Sequence, residues 1–111
     1  MTSSDREEKA LRFLGLAARA GRVVVGVPLI CTALQKGGGG KPLAVLAASD
    51  GSENTKKRIS DRTAYYGVPL IRLAADCATL ALRVGKRDGA VAAVAVTEPG
   101  LARAITELYD Q

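Results

Sequence analysis

The sequence predicts an α/β domain whose parallel or mixed sheet is covered by helices on both faces. Short apolar runs rich in Val, Leu and Ala alternate along the chain with segments of helical periodicity, which is typical of this class. Residues 90–96 are apolar throughout, as expected of a central strand that is buried on both faces. The 111 residues include no Trp and one Phe, and 48% of them are apolar. A single core of small aliphatic side chains is therefore expected.

The first half of the chain predicts a helix, a strand, a second helix and a second strand. Ser3, Ser4 and Asp5 offer capping side chains to the first helix, and Gly21 ends it. Pro28 suits the first turn of the second helix, and the glycines at 37–40 predict a plain flexible connection. The expected strands are residues 22–25 and 43–48, and the second helix covers residues 28–36.

The second half repeats the alternation and ends in a helix. Gly67 ends a third helix at residues 52–66, and Pro69 leads into a strand at 70–73. A short fourth helix at 76–84 is followed by Gly85, by the strand at 90–96 and by a last helix at 98–109 with Pro99 in its first turn. The predicted order is therefore α-β-α-β-α-β-α-β-α.

Charge favours a partner that is a polyanion. The chain has sixteen Lys and Arg but only eleven Asp and Glu, and its sequence pI is about 9.6. Nucleic acid is the commonest polyanion of a cytoplasm, although solubility alone also explains a net charge of +5. No apolar run approaches the ~20 residues of a membrane span. The N-terminus is charged where a signal peptide is apolar, so we expect a cytoplasmic protein without membrane partners.

Residues suited to catalysis or metal binding are scarce. The chain has no His, which removes the commonest general base, and Asp50 and Asp76 are expected to serve as cap or turn residues. Cys31 and Cys77 have no metal-binding spacing and are expected to be free, buried thiols. The run at 36–41, KGGGGK, lacks the strand–loop–helix context of a phosphate loop. We therefore expect no enzyme, no cofactor and no metal.

Three segments, which together span nearly the whole chain, carry a family resemblance. They are FLGLAARAGRVVVG at 13–26, LAASDGSENTKKRISDRTAYYGVP at 46–69 and TLALRVGKRDGAVAAVAVTEPGLARAI at 79–105. The string at 54–57 and the Gly85-Lys86 pair are their most specific parts. The chain resembles the kink-turn-binding superfamily of ribosomal proteins (the L-seven-Ae type) and its small bacterial YlxQ-like branch. The resemblance implies a three-layer α/β/α sandwich with a four-stranded mixed sheet, forming one RNA-binding domain over residues 1–111.

The resemblance also implies where RNA binds, and there the sequence departs from the family pattern. Better-known members read kink-turns with a Gly-x-Asn-Glu-x-x-Lys string at the start of the second helix. Here Gly26 is kept, but Pro28, Leu29 and Thr32 stand where those members have Asn, Glu and Lys. Neither Pro nor Leu offers a side-chain hydrogen bond to a base, which argues against sequence-specific kink-turn recognition.

Basic residues near the predicted strand ends complete the expected RNA surface. Lys and Arg would contact phosphates there, while Gly26 would let the RNA backbone come close. Tyr65 and Tyr66 are the only aromatic pair, and Tyr66 should partly face the core, so a stacking platform is not expected. The expected surface comprises Arg22, Gly26, Lys56, Lys57, Arg83, Lys86 and Arg87.

The sequence therefore predicts a small RNA-binding protein that associates with the ribosome or with other structured RNA. Binding driven by phosphate contacts would be salt-sensitive and weakly sequence-selective. For any single lysine, a solvated helix face remains an equally good interpretation. The alternative function is a protein-interaction module that uses the apolar residues 27–30 as its contact patch.

Overall fold

Capping residues set the boundaries of most helices in the computed structural model, which describes residues 2–86 and 89–110. Ser52 Oγ accepts the backbone N–H of Thr55 at 3.2 Å, and Asp76 Oδ1 accepts that of Thr79 at 2.8 Å. The first helix is capped by Thr2, one residue before the expected Ser3–Asp5 group. The elements are α1 (Ser3–Arg19), β1 (Val23–Val25), α2 (Val27–Lys36), β2 (Ala44–Ala47), α3 (Glu53–Tyr66), β3 (Leu70–Arg72), α4 (Cys77–Arg83), β4 (Ala93–Val96) and α5 (Pro99–Leu108).

The four strands form one mixed sheet in the order β1-β4-β2-β3. β4 is antiparallel to both of its neighbours, with Ala95 opposite Val24 on one side and Val45 on the other. β2 and β3 are parallel. The carboxyl ends of β1, β2 and β3 and the start of β4 therefore lie together at one edge, which is called the carboxyl edge below. The predicted central position of the fourth strand is confirmed.

Helices cover both faces of this sheet, which gives the three layers that were predicted. On one face α1, α4 and α5 pack on the sheet, with Leu14, Leu80 and Ile105 fully buried. On the other face α2 and α3 contribute Ile30 and Ile59. Alternate residues of β2 point to opposite layers, so that each layer has its own apolar cluster. Each fully buried Leu or Ile stabilises the fold by about 1.5–3 kcal/mol.

Two local expectations differ from the structure. The glycines at 37–40 are not a plain connection, because Gly38–Gly40 form a 3-10 turn that the Lys41 N–H closes on the Gly38 carbonyl at 3.2 Å. β4 begins at Ala93 and not at residue 90, since the Val91 N–H turns away from the sheet to the Cys77 carbonyl. The predicted burial of free Cys31 and Cys77 is confirmed.

Candidate nucleic-acid interface

The start of α2 is placed at the carboxyl edge by an unusual backbone turn. Gly26 has φ 96° and ψ 141°, and its N–H donates to the Ala93 carbonyl at 3.0 Å. That hydrogen bond ties the end of β1 to the start of β4. The helix begins at Val27 without a side-chain cap. Backbone N–H groups of a first turn carry partial positive charge, although Pro28 has none to offer.

The start of α3 lies at the same edge and is fixed by its cap. The Ser52 hydroxyl accepts the Thr55 N–H and donates to the Thr55 hydroxyl at 2.8 Å. A Cβ added to Gly51 would lie 3.9 Å from Cγ of Lys56 and 3.8 Å from Cβ of Ala92. The stem of Lys56 therefore lies beside the residues that lead into β4.

The segment before β4 closes a groove between these two helix starts. The Lys86 N–H donates to the Ala81 carbonyl at 2.8 Å, so the backbone of Lys86 is fixed by the end of α4. Gly26, Pro28, Thr55, Lys86 and Ala92 are among the residues that line the groove, whose volume is about 380 Å³. None of the described lining residues is acidic. It is called the edge groove below.

Asp50 lies close to this groove, yet its contacts give it a structural role. Its Oδ1 accepts the Cys77 N–H at 2.7 Å. Hydrogen bonds from the thiol and the backbone of Cys77 lower the pKa of Asp50. Burial, followed by the hydrogen bond and charge of Asp50, raises the pKa of the Cys77 thiol to about 11, so the thiol stays protonated. Asp76 caps α4. The predicted cap and turn roles of both aspartates are confirmed.

Not all of the predicted RNA-binding residues meet at the edge groove. Arg22 lies at the other end of β1, about 13 Å away from Gly26 along the strand. Arg83 turns toward α1 and donates to Glu8 Oε1 at 2.8 Å. The side chain of Lys57 is 77% exposed and pairs with Asp61 at 3.2 Å on the outside of α3. Arg87 falls outside the described residues. The structure thus brings together Gly26, Lys86 and the start of α3, which bears Lys56.

Thr55 is a lining residue that was not expected from the sequence. The signal for it was present, because Ser52 followed by a polar residue three positions later is a helix-capping pattern.

In the described ranges, 2–86 and 89–110, no three metal-binding side chains cluster. No helix of those ranges is both long and apolar enough to cross a bilayer.

The sheet order and the three layers form the α/β/α sandwich with a four-stranded mixed sheet that the resemblance implied. The chain is 36% identical over 98 residues to the RNA-binding protein YlxQ of Bacillus subtilis, covering 88% of this chain and 92% of that protein. It is 34% identical over 84 residues to YlxQ of Enterococcus faecium, covering 76% and 78%. The chain belongs to the YlxQ family, as its resemblance predicted. No protein-family model matches it.

Two solved structures share this fold. A Bacillus halodurans protein of unknown function superposes with a TM-score of 0.80 at 29% identity, covering 93% of this chain and 98% of that one. A Giardia lamblia 15.5 kD RNA-binding protein superposes with a TM-score of 0.77, covering 97% and 88%. At 13% identity, the second match shows a shared fold alone. Both YlxQ relatives are named RNA-binding proteins.

Proposed function

We propose that this protein is a small cytoplasmic RNA-binding protein that holds ribosomal or other structured RNA at its carboxyl edge. The observation that carries the proposal is the edge groove, where two helix starts and Lys86 meet around a glycine turn. The names of the YlxQ relatives support RNA as the partner. The net charge of +5 is of the sign that attracts it.

RNA backbone is the part of the ligand that fits the edge groove. Lys56 and Lys86 supply mobile positive charge, and the uncapped N–H groups at the start of α2 add fixed partial charge. Gly26 has no atom within 4 Å of the position of a Cβ, so open space adjoins the turn. Each phosphate contact releases counterions, which makes the affinity fall steeply with salt.

The first turn of α2 supplies little that distinguishes one base from another. Leu29 is 61% exposed and Pro28 is also exposed, yet neither side chain can donate or accept a hydrogen bond. The Thr32 hydroxyl donates to the Pro28 carbonyl at 3.1 Å, within the helix. We therefore propose that the protein binds kink-turn and other structured RNAs with little preference among them.

A salt titration tests the proposed surface. Fluorescence anisotropy would follow binding of a kink-turn RNA and a plain hairpin between about 50 and 200 mM salt. The Lys56→Ala/Lys86→Ala variant should lower the slope of log affinity against log salt by about one per phosphate contact removed. The matched control is Lys36→Ala, at the opposite end of α2. Absence of binding to both RNAs at low salt would refute the function, and an unchanged slope would exclude the edge groove.

Single alanine variants extend this test to the other predicted contacts. Arg87 adjoins Lys86 in the sequence, and removing its charge should lower the salt slope. Lys57 pairs with Asp61 on the outside of α3, so Lys57→Ala should keep the slope of the parent protein. Arg22 and Arg83 lie away from the edge groove, so their alanine variants should keep the slope of the parent protein. A lowered slope for Arg22→Ala or Arg83→Ala would extend the RNA surface beyond the carboxyl edge.

Restoring the family's residues tests the explanation for weak selectivity. The triple variant Pro28→Asn, Leu29→Glu and Thr32→Lys changes three exposed positions and leaves buried Val27 and Ile30 untouched. Its affinity for the kink-turn RNA should rise relative to the plain hairpin. An affinity ratio equal to that of the parent protein would show that these three replacements do not account for the selectivity.

The exposed Leu29 also favours a second candidate function, a protein-interaction module. Because Val27 and Ile30 are buried, the apolar patch at the start of α2 consists of Pro28 and Leu29. Pull-down from nuclease-treated lysate separates the two functions, since partners held through RNA disappear with nuclease. A partner that survives nuclease and is lost with Leu29→Ser would favour this second function.

A further inference from the structure

A second groove lies between α1 and α4, on the face of the sheet that the edge groove does not use. Its volume is about 660 Å³, within the range of pockets that bind ligands or peptide side chains. The two helices approach closely at its floor, where a Cβ on Gly15 would lie 3.7 Å from the Arg83 carbonyl. The residues that matter here are Leu16, Leu82, Arg12, Arg19 and Arg83.

Two leucines of this α1–α4 groove face solvent. The exposed fraction is 49% for Leu16 and 68% for Leu82. They belong to a set of five large hydrophobic residues that are exposed in the described chain, and they are the two that share one groove. The core does not need them, because Leu11 and Leu80 already fill the buried sides of α1 and α4. Exposed apolar side chains that meet in a concavity indicate a binding surface.

The rim of the α1–α4 groove is basic. Arg12, Arg19 and Arg83 line it, and Glu8 is the carboxylate that pairs with Arg83 at 2.8 Å. The hydrogen bond and charge of Arg83, with the charge of Arg12, lower the pKa of Glu8, so that carboxylate stays ionised. Three guanidinium groups and one carboxylate leave two positive charges in excess. Guanidinium groups pair with carboxylates in a bidentate manner and are enriched at protein interfaces.

We propose that the α1–α4 groove binds an acidic segment of a partner protein. Two large apolar side chains, three or four positions apart on a helix of the partner, would sit against Leu16 and Leu82. Neighbouring Asp or Glu residues of that helix would face Arg12 and Arg19. RNA would satisfy the arginines but would set its charged backbone against the two leucines, so the leucines favour a protein. The inference does not depend on the RNA function.

Selection of peptides on the full-length protein tests the proposal. The probe is a phage-displayed library of random peptides of about 12 residues, a length that spans about 18 Å as a helix. Enriched peptides should be acidic and carry two large apolar residues at helical spacing. Synthetic copies should bind Leu16→Ser/Leu82→Ser about tenfold more weakly, a loss typical of interface anchors. Enrichment of basic peptides, no enrichment, or equal binding to the double variant would overturn the proposal.

Two variants serve as controls. Leu43→Ser removes an exposed leucine outside the α1–α4 groove and should leave peptide affinity unchanged. Arg12→Gln/Arg19→Gln tests the charge separately from the leucines, and it should weaken peptide binding most at low salt. Circular dichroism and the melting temperature establish that each variant is folded. A loss of affinity in Leu43→Ser, or unchanged affinity in the arginine variant, would contradict the assignment.

Two further measurements distinguish other occupants of this groove. Sedimentation of the parent protein and of Leu16→Ser/Leu82→Ser should show the same mass for both. A dimer that the two substitutions dissociate would make a second copy the occupant and overturn the proposal. RNA affinity and its salt slope should be equal in the two proteins, and a loss of RNA affinity in the variant would instead assign the groove to RNA.

Discussion

Gly26→Ala is the substitution that tests most directly how the edge groove is built. Gly26 ends β1 and begins α2 with φ 96° and ψ 141°. A Cβ there would have no heavy atom within 4 Å, so crowding contributes nothing to the cost. The whole penalty comes from a backbone conformation that residues with a side chain rarely adopt, and it is about 1–3 kcal/mol.

Two other glycines calibrate this penalty. Gly67 has φ 68° and ψ 31°, the left-handed helical region, where alanine costs about 1–2 kcal/mol. Gly39 has no positive φ and open space around its Cβ position, so Gly39→Ala should be neutral or stabilise by up to about 1 kcal/mol. The three variants are therefore expected to rank, from the most to the least stable, as Gly39→Ala, Gly67→Ala and Gly26→Ala.

Urea unfolding followed by circular dichroism measures these differences. With a slope of about 2 kcal/mol per M, a loss of 2 kcal/mol lowers the midpoint by about 1 M. The slope itself should be equal in the three variants, since each changes one methyl group. Equal midpoints for Gly26→Ala and Gly39→Ala would refute the argument that the turn at the edge groove requires glycine.

Three further predictions concern stability and thiol reactivity. Hydrogen bonds from Cys77 lower the pKa of Asp50, and backbone N–H groups lower those of Asp76 and Glu98. Because the folded pKa values lie below the unfolded ones, this stabilisation is present at neutral pH and is lost as the pH falls below 4.5 for Glu98 and below 3.8 for the two aspartates. A constant melting temperature from pH 5 to 3 would contradict it. The Cys77 thiol, with its pKa raised to about 11, should react slowly with a thiol reagent at pH 8 until urea unfolds the chain. Glu7→Ala removes hydrogen bonds of 2.7 and 3.0 Å to two backbone N–H groups before α4 and should cost about 1–3 kcal/mol in urea unfolding; a loss below about 0.5 kcal/mol would show that those groups find other partners.

The fold could be predicted from local signals because each element boundary carries one. Ser52, Asp76 and Pro99 mark helix starts, and Gly67 marks a helix end. The continuous apolar run before Thr97 identified the strand that is buried on both faces. The presence of helices on both faces of the sheet followed from the family resemblance and from the alternation of elements together. Boundaries moved by one to three residues where a backbone group bonded outside its element, as Val91 does.

The edge groove could be predicted only in part. The sequence predicts at which end of a strand a residue lies, but it does not predict the direction in which the side chain points. Gly26 and Lys56 both follow strands that point the same way, so their meeting at one edge follows from topology. Arg22 precedes β1, which places it at the far end of that strand. Arg83 precedes β4 in sequence as Lys86 does, yet its side chain pairs with Glu8, 75 residues away. No local pattern reports a contact of that range.

One feature of the sequence relates to the α1–α4 groove, and the periodicity of the buried residues does not show it. The buried face of α1 repeats at Ala10, Leu11, Leu14 and Ala17, and Leu16 lies outside that repeat. A leucine off the buried face of an amphipathic helix gains nothing from the core, and here it lies one turn from both Arg12 and Arg19. In α4, Leu80 and Ala81 are buried, which leaves Leu82 on the outside beside Arg83. Leu16 therefore lies off the buried face of α1, between arginines one turn away on each side, and this position distinguishes it from the leucines that pack inward.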